Sequence, residues 1–260
     1  MSDCPSVALE EVIRVQGLCA VFPNGNGGLH ALHDLTFSVN SQEFLCILGP
    51  SGSGKSTLLR ILAGLLAPTS GTVFYNNEMV RGPQKDTGFI FQKANLMPWR
   101  TVLENIALPL ELERLPSACS MSRAQEMVEL VGLQGFEQVL PRDLSGGMAQ
   151  RVAIGRALVQ DPQVLLLDEP FGALDALTRE RMGNELLRIW QLRRKTVIMV
   201  THSITEAIYL ADRVIVLSER PGRIRLELNV NLPRPRQEEI RYTSEFGDLA
   251  NRVRAAIGDA

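Results

Sequence analysis

Two rhythms of apolar positions alternate along this chain. Short β-rich or apolar runs of strand length stand at Val12-Ile13-Arg14-Val15, Leu35-Thr36-Phe37-Ser38-Val39, Phe44-Leu45-Cys46-Ile47-Leu48 and Gly71-Thr72-Val73-Phe74-Tyr75. They recur at Thr87-Gly88-Phe89-Ile90, Val164-Leu165-Leu166-Leu167, Thr196-Val197-Ile198-Met199-Val200 and Val214-Ile215-Val216-Leu217. The cluster Pro23-Asn24-Gly25-Asn26-Gly27-Gly28 predicts a hairpin tip, and Asn76-Asn77 a turn. The first two runs with residues 71–75 predict a small antiparallel layer. Later runs alternate with helical stretches near residues 58–63, 176–194 and 204–211, which predicts a mainly parallel sheet covered on both faces.

After Gln92 the rhythm changes. From Thr101 to about Gln160 the spacing is helical, with one stripe at Val102, Ile106 and Leu110 and another at Met127, Leu130 and Val131. Pro116-Ser117-Ala118 and Gly132-Leu133-Gln134-Gly135 break it. The expected class is therefore α/β, with a parallel core sheet, an antiparallel β layer and a helical subdomain inserted at residues 97–160. Residues 1–10 read as a leader, 11–230 as the main domain and 231–260 as a C-terminal extension. That extension loosens at Leu232-Pro233-Arg234-Pro235-Arg236 and ends in a charged helix near residues 236–257.

Bulk numbers narrow the picture modestly. At 260 residues, with 45% hydrophobic and 22% charged content, the chain suits one large domain or two small ones. A net charge of -2 argues against a general nucleic-acid or anionic-membrane binder. Cys4, Cys19, Cys46 and Cys119 lie far apart and read as isolated reduced thiols. The N-terminus has neither the basic nor the apolar region of a secretory signal. Nothing approaches about 18 consecutive apolar residues, so no membrane span is expected, and a cytoplasmic location follows by default.

The chemistry begins at Gly49-Pro50-Ser51-Gly52-Ser53-Gly54-Lys55-Ser56, with Thr57 behind it. Gly, four residues, then Gly-Lys-Ser is the phosphate-binding loop of P-loop NTPases. Its glycines let successive amides point inward as an anion nest, and the following helix adds the positive end of its dipole. Lys55 is placed to reach the β- and γ-phosphates of a nucleotide. The Ser56 hydroxyl is a hard oxygen suited to Mg²⁺. A second motif is the apolar strand ending in Asp168-Glu169-Pro170. Ligands of open α/β sheets sit at the carboxyl ends of strands. There Asp168 is expected to hold Mg²⁺ through water and Glu169 to act as general base on the attacking water. The third, Leu144-Ser145-Gly146-Gly147-Met148-Ala149-Gln150-Arg151, opens a helix. Ser145 can cap it while the Gly146 and Gly147 amides face an anion. Alone this is an N-cap with a Gly-rich turn; beside a phosphate loop it hints at service to another subunit's nucleotide.

A phosphate loop, Gln92, Leu144 to Gln150, Leu165-Leu166-Leu167-Asp168-Glu169-Pro170, Ala173-Leu174-Asp175 and Thr201-His202 occur in this order. The set closely resembles the nucleotide-binding subunit of ABC transporters, over about residues 12–230. The resemblance implies ATP sandwiched head to tail between two copies of the subunit, the phosphate loop of one facing Ser145, Gly146 and Gly147 of the other. It implies that Gln92 contacts Mg²⁺ or the attacking water and senses a membrane partner. It further implies that Asp175 works across the interface, that His202 bonds the γ-phosphate, and that Phe22 stacks on adenine. The implied partners are transmembrane permease subunits and, indirectly, an extracytoplasmic solute-binding protein, with the chain peripheral on the cytoplasmic face of the membrane.

Pro98-Trp99-Arg100-Thr101-Val102, Glu169 to Arg179 and Leu232 to Arg236 are similar to importers of nitrate, alkanesulfonates and taurine. Lys93, where an acidic residue is common, and Gly155, where alanine is usual, depart from that pattern. The helical block, with the Gln92 to Trp99 loop at its hinge, is expected to receive a short permease helix. Two other readings stay open: a soluble ABC-type ATPase not tied to transport, acting on DNA, ribosomes or iron–sulfur assembly, and an export ATPase. The single cassette, the lack of sustained heptads and the lack of basic excess weigh against the first. The Pro98 to Val102 stretch weighs against the second.

Overall fold

A computed structural model describes residues 10–23 and 28–258. Nearly all of the expected leader, Cys4 and the centre of the expected hairpin tip, residues 24–27, lie outside the described residues.

The core is a six-stranded sheet in the order β10-β9-β3-β8-β7-β6. It comprises β3 (Phe44–Leu48), β6 (Thr87–Ile90), β7 (Val164–Asp168), β8 (Thr196–Thr201), β9 (Arg213–Leu217) and β10 (Ile224–Asn229). All neighbours are parallel except β10, which runs antiparallel to β9. Strands β3, β7 and β8 are buried along their whole length, as continuous apolar runs require when both faces are covered. Their side chains divide by the period of two. Leu45, Ile47, Leu166 and Ile198 join one apolar cluster, while Phe44, Cys46, Leu165 and Val197 join the other.

The first cluster is closed by a four-stranded antiparallel sheet, β2-β1-β4-β5, and by helix α1 (Lys55–Leu62). Its strands are β1 (Glu11–Phe22), β2 (Leu29–Asn40), β4 (Ser70–Tyr75) and β5 (Glu78–Met79). β1 and β2 run 12 residues each, far beyond the runs expected, because register shifts interrupt the alternation. Leu18 and Leu35 stay fully buried across those shifts.

The second cluster takes the helices. These are α2 (Val102–Leu112), α3 (Ser117–Leu130), α4 (Gly146–Leu158), α5 (Ala176–Arg193), α6 (Ile204–Leu210) and α7 (Ser244–Gly258). Helix α2 opens with a reciprocal capping box between Thr101 and Glu104. Gly155 lies where α4 meets α2; a Cβ there would stand 3.1 Å from Ile106 Cδ1, so an alanine would need that side chain to yield slightly.

Two stretches differ from the expectation. Strand β10 was absent from it, although Ile224-Arg225-Leu226-Glu227-Leu228-Asn229 alternates cleanly. The segment 231–237 is tied down rather than loose. Arg236, 6% exposed, donates to the carbonyls of Ile208, Tyr209, Ala211 and Val230. Arg234 donates to Leu210 O and Asp212 and lies 4.3 Å over the Trp190 ring. Burial and the neighbouring Arg234 push the Arg236 guanidinium down to about 10. Because this stretch is extended, the terminal helix starts at Ser244, capped by Thr243, and a short 3-10 turn (Glu238–Tyr242) precedes it.

Candidate functional site

The phosphate loop joins buried β3 to α1 at the carboxyl edge of the core sheet. Gly54 caps α1 with φ 91°, and a Cβ there would meet Leu32 Cδ2 at 2.6 Å and Ala31 O at 2.8 Å. Only glycine fits that conformation in that space. No side chain caps α1, so its first amides stay available to an anion. Lys55 is buried within the loop it completes, its Nζ donating to Gly49 O (2.8 Å) and Pro50 O (2.9 Å). Burial pulls the Lys55 ammonium down from its ordinary value, while Glu169 and Asp168 oppose that shift.

Three strand ends deliver polar groups to the same place. At the end of β7, Asp168 accepts a hydrogen bond from Ser56 Oγ at 2.8 Å. Burial raises the Asp168 carboxyl, and the Ser56 hydrogen bond works against it. The next residue, Glu169, turns into the left-handed region at φ 45°, with its N–H donating to Val200 O. A non-glycine residue held there is strained, a pattern that recurs at functional sites. Its Oε2 lies 3.1 Å from Nδ1 of His202, which follows β8. The turn carrying His202 is braced: Thr201 Oγ1 donates to Glu206 and accepts from Ser203 N, and Ser203 Oγ caps α6. Gln92, two residues beyond β6, brings its amide near Glu169; both flank Gly172, Nε2 and Oε2 lying 3.4 and 3.5 Å from where its Cβ would stand.

A cleft of about 300 Å³ opens over this cluster. Phe22, 37% exposed at the end of β1, lines it together with Ser51, Gly52, Gly54 to Thr57 and Glu169. An aromatic face, the uncapped amides at the start of α1, an ammonium and two carboxylates can accommodate a nucleoside polyphosphate. For a cation the donors are hard oxygens: the Ser56 hydroxyl and the Asp168 carboxylate beside it. Among the described residues, no three His, Cys, Asp or Glu cluster as a protein-only metal site would require. This donor set fits Mg²⁺, which binds through one or two protein oxygens plus phosphate and water.

The other predicted residues gather elsewhere. Ser145 and Gly146 are exposed, and Ser145 caps α4 by accepting from Met148 N at 3.3 Å. A Cβ on Gly147 would strike Thr178 Cγ2 at 2.8 Å, so α4 begins directly against α5. Asp175 caps α5 by accepting from Thr178 N at 3.0 Å; the Thr178 hydroxyl and then that backbone bond hold its carboxyl below the usual carboxylate range. The chain from Glu169 to Asp175 therefore links two groups: phosphate loop, Asp168, Glu169, Gln92 and His202 on one side, and Ser145, Gly146, Gly147 and Asp175 on the other. Among the described residues no hydrogen bond or ion pair joins the phosphate loop to Ser145.

The sequence reading passed over Arg220, which lines the cleft from the β9–β10 turn and donates to Gly52 O. It also passed over Glu206, whose carboxyl burial raises. Pro221 and Gly222 after an apolar strand signal no more than a turn, and no motif joins Arg220 to the loop.

The sequence and the fold both resemble those of known proteins. The family model "ABC transporter" matches residues 32–172. The chain is 47% identical over 251 residues to the nitrate import ATP-binding protein NrtD of Synechocystis sp., covering 94% of each chain. It is 45% identical over 242 residues to the aliphatic sulfonates import ATP-binding protein SsuB of Bacillus cereus, covering 93% of this chain and 94% of that protein. Among solved structures, an ATP-binding cassette described as a dimeric post-hydrolysis state bound to ADP and Pi superposes with TM-score 0.75 at 33% identity. It covers 85% of this chain and all of that one.

Proposed function

This chain belongs to the ABC transporter family, and we propose that it is the ATP-hydrolysing subunit of an importer for a small solute, an anion of the nitrate, sulfonate or taurine class. The observation that carries the hydrolytic reading is the convergence of Lys55, Ser56, Asp168, Glu169 and His202 on one cleft. Relatives named for nitrate and sulfonate import support the solute class.

The work divides by chemistry. Loop amides and Lys55 bind the phosphates and oppose their charge. Phe22 stacks on adenine. Ser56 and Asp168, with Gln92, supply oxygens for Mg²⁺, which when bound neutralises charge on the phosphoryl group being transferred. Glu169 receives a proton from the attacking water at a carboxylate oxygen. His202, bonded to Glu169 through Nδ1, keeps that carboxylate aimed and offers Nε2 toward the γ-phosphate.

A second copy completes the site, its Ser145, Gly146 and Gly147 covering the exposed phosphate and its Asp175 contacting the interface. The dimeric cassette with ADP and Pi supports that arrangement. The permease docks at the helical block. Trp99 there is 72% exposed on a loop held rigid by buried Asn105, which bonds to Met97, Arg100 and Thr101, and by Arg156, which donates to Ala94 O and Asn95 O. Attachment to the cytoplasmic face of the membrane runs through that permease; among the described residues no helix is long and apolar enough to cross a membrane. An extracytoplasmic solute-binding protein presents the solute.

Affinity purification of the tagged chain from solubilised membranes of its own cell tests the reading. A stoichiometric polytopic permease is expected, with ATPase activity that rises when a loaded nitrate- or sulfonate-binding protein is added. Recovery only in the soluble fraction, with ribosomal, DNA or assembly partners, would overturn transport and leave the ATPase.

A further inference from the structure

The turn between β9 and β10 is built against the phosphate loop. Gly222 N donates to Ala31 O at 2.9 Å and Gly222 O accepts from His33 N at 3.0 Å, which fastens the turn to β2. A Cβ on Gly222 would lie 2.2 Å from Ser53 O, so the two backbones touch. Within the turn, Ser218 Oγ donates to Pro221 O and accepts from Arg223 N. Arg220 projects from this fixed base. Its Nε donates to Gly52 O at 3.1 Å, and a terminal nitrogen lies 3.0 Å from where a Gly52 Cβ would stand. Among the described residues no carboxylate pairs with the guanidinium.

Charge accounting gives the arginine a role. The charged residues lining the cleft are Lys55, Glu169 and Arg220, with Asp168 beside them. Lys55 faces two carboxylates, and two of its donors are engaged by loop carbonyls. A polyphosphate adds several negative charges to that balance. Arg220 brings the further cation, with planar donors that match phosphate oxygens.

We propose that Arg220 is a second phosphate-binding cation of the nucleotide site, presented by the 218–223 turn and steered by its Nε bond to Gly52. The inference rests on the ATP reading above. It makes the β9–β10 turn part of the nucleotide site, a contribution made after the last of the expected motifs.

Isothermal titration of the purified full chain with ATP, ADP and AMP, without added metal, tests it in wild type, Arg220→Gln and Arg220→Lys. Wild type that fails to bind ATP sinks the nucleotide reading itself. Given wild-type binding, Arg220→Gln is expected to weaken ATP about tenfold, ADP less and AMP by less than about twofold, since the loss follows phosphate charge. Arg220→Lys is expected to recover part of the affinity, and the deficit to shrink as salt is raised. Equal ATP affinity in wild type and Arg220→Gln overturns the proposal. So does an equal loss for all three nucleotides, which would assign Arg220 to loop shape alone, as would a Lys variant no better than Gln.

Discussion

Two glycine-rich turns open helices in this chain, and they are built in opposite ways. At the phosphate loop the cap is Gly54, no side chain consumes the first amides of α1, and Lys55, Asp168 and Glu169 surround the opening. At α4 the cap is Ser145, its hydroxyl occupied by Met148 N, and the ion pair just before it is the exposed Arg142–Asp143 contact between neighbours. One turn is a nearly complete anion site. The other has an exposed Gly146, a helix end partly satisfied by its serine cap, and carboxylates, Asp143 and Asp175, that are engaged locally rather than facing an ammonium. The difference supports the proposal that affinity for nucleotide resides at the first, and that the second acts on a phosphate already held elsewhere. That is the physical content of a head-to-tail pair.

The comparison breaks most visibly at Glu169. Glu169→Gln keeps the shape of the cleft and removes the proton acceptor, so kcat is expected to fall about 10²- to 10⁴-fold while ATP still binds and a dimer accumulates. Steady-state turnover and gel filtration with ATP read both effects; near-normal turnover would remove Glu169 as base. Next comes Lys55→Ala. Losing a charge-assisted contact costs about 1.5–3 kcal/mol, or about ten- to a hundredfold in ATP affinity. Unchanged affinity by titration would contradict the assignment of charge to the first turn.

Ser145→Arg sharpens the contrast with a much smaller effect on the single chain. Nucleotide affinity at the phosphate loop is expected to stay within about twofold, because among the described residues no hydrogen bond joins Ser145 to that loop. Bulk at the second cradle is expected to abolish the ATP-dependent dimer and the turnover that depends on it. Light scattering that still shows a dimer with ATP would defeat the sandwich.

What was legible in the sequence follows from where local chemistry is self-sufficient. The phosphate loop, the buried strand ending in Asp168-Glu169 and the cap at Ser145 each carry their geometry in a few adjacent residues. Strands β3, β7, β8 and β9 were readable to within a residue or two because burial on both faces makes them continuously apolar. The long β1–β2 pair was shortened in the reading because bulges reset its alternation. Strand β10 escaped because it follows a Gly/Pro turn and buries Leu228 alone. Residues 231–237 looked loose because Pro and Arg signal solvent, whereas four α6 and β10-end carbonyls turn Arg236 into a core residue. Arg220 was invisible for the same reason: its partner, Gly52, is 168 residues away.

The smallest effect lies where the two regions meet, at Asp175. Its carboxylate does local work, capping α5 through Thr178 N, and the Thr178 hydroxyl together with that bond holds its pKa down. A depressed folded value means that the stabilisation is present above the ordinary aspartate range and is lost as pH falls through the lowered value. Asp175→Ala should therefore lower the melting temperature slightly at neutral pH, with the gap closing in acid, whereas Asp175→Asn should retain the cap and melt close to wild type. Turnover then separates capping from a role across the interface. If Asn matches wild type in melting temperature and still loses ATPase activity, the charge acts on the second copy. If activity follows melting temperature through both variants, Asp175 serves α5 alone, and the second group shrinks to Ser145, Gly146 and Gly147.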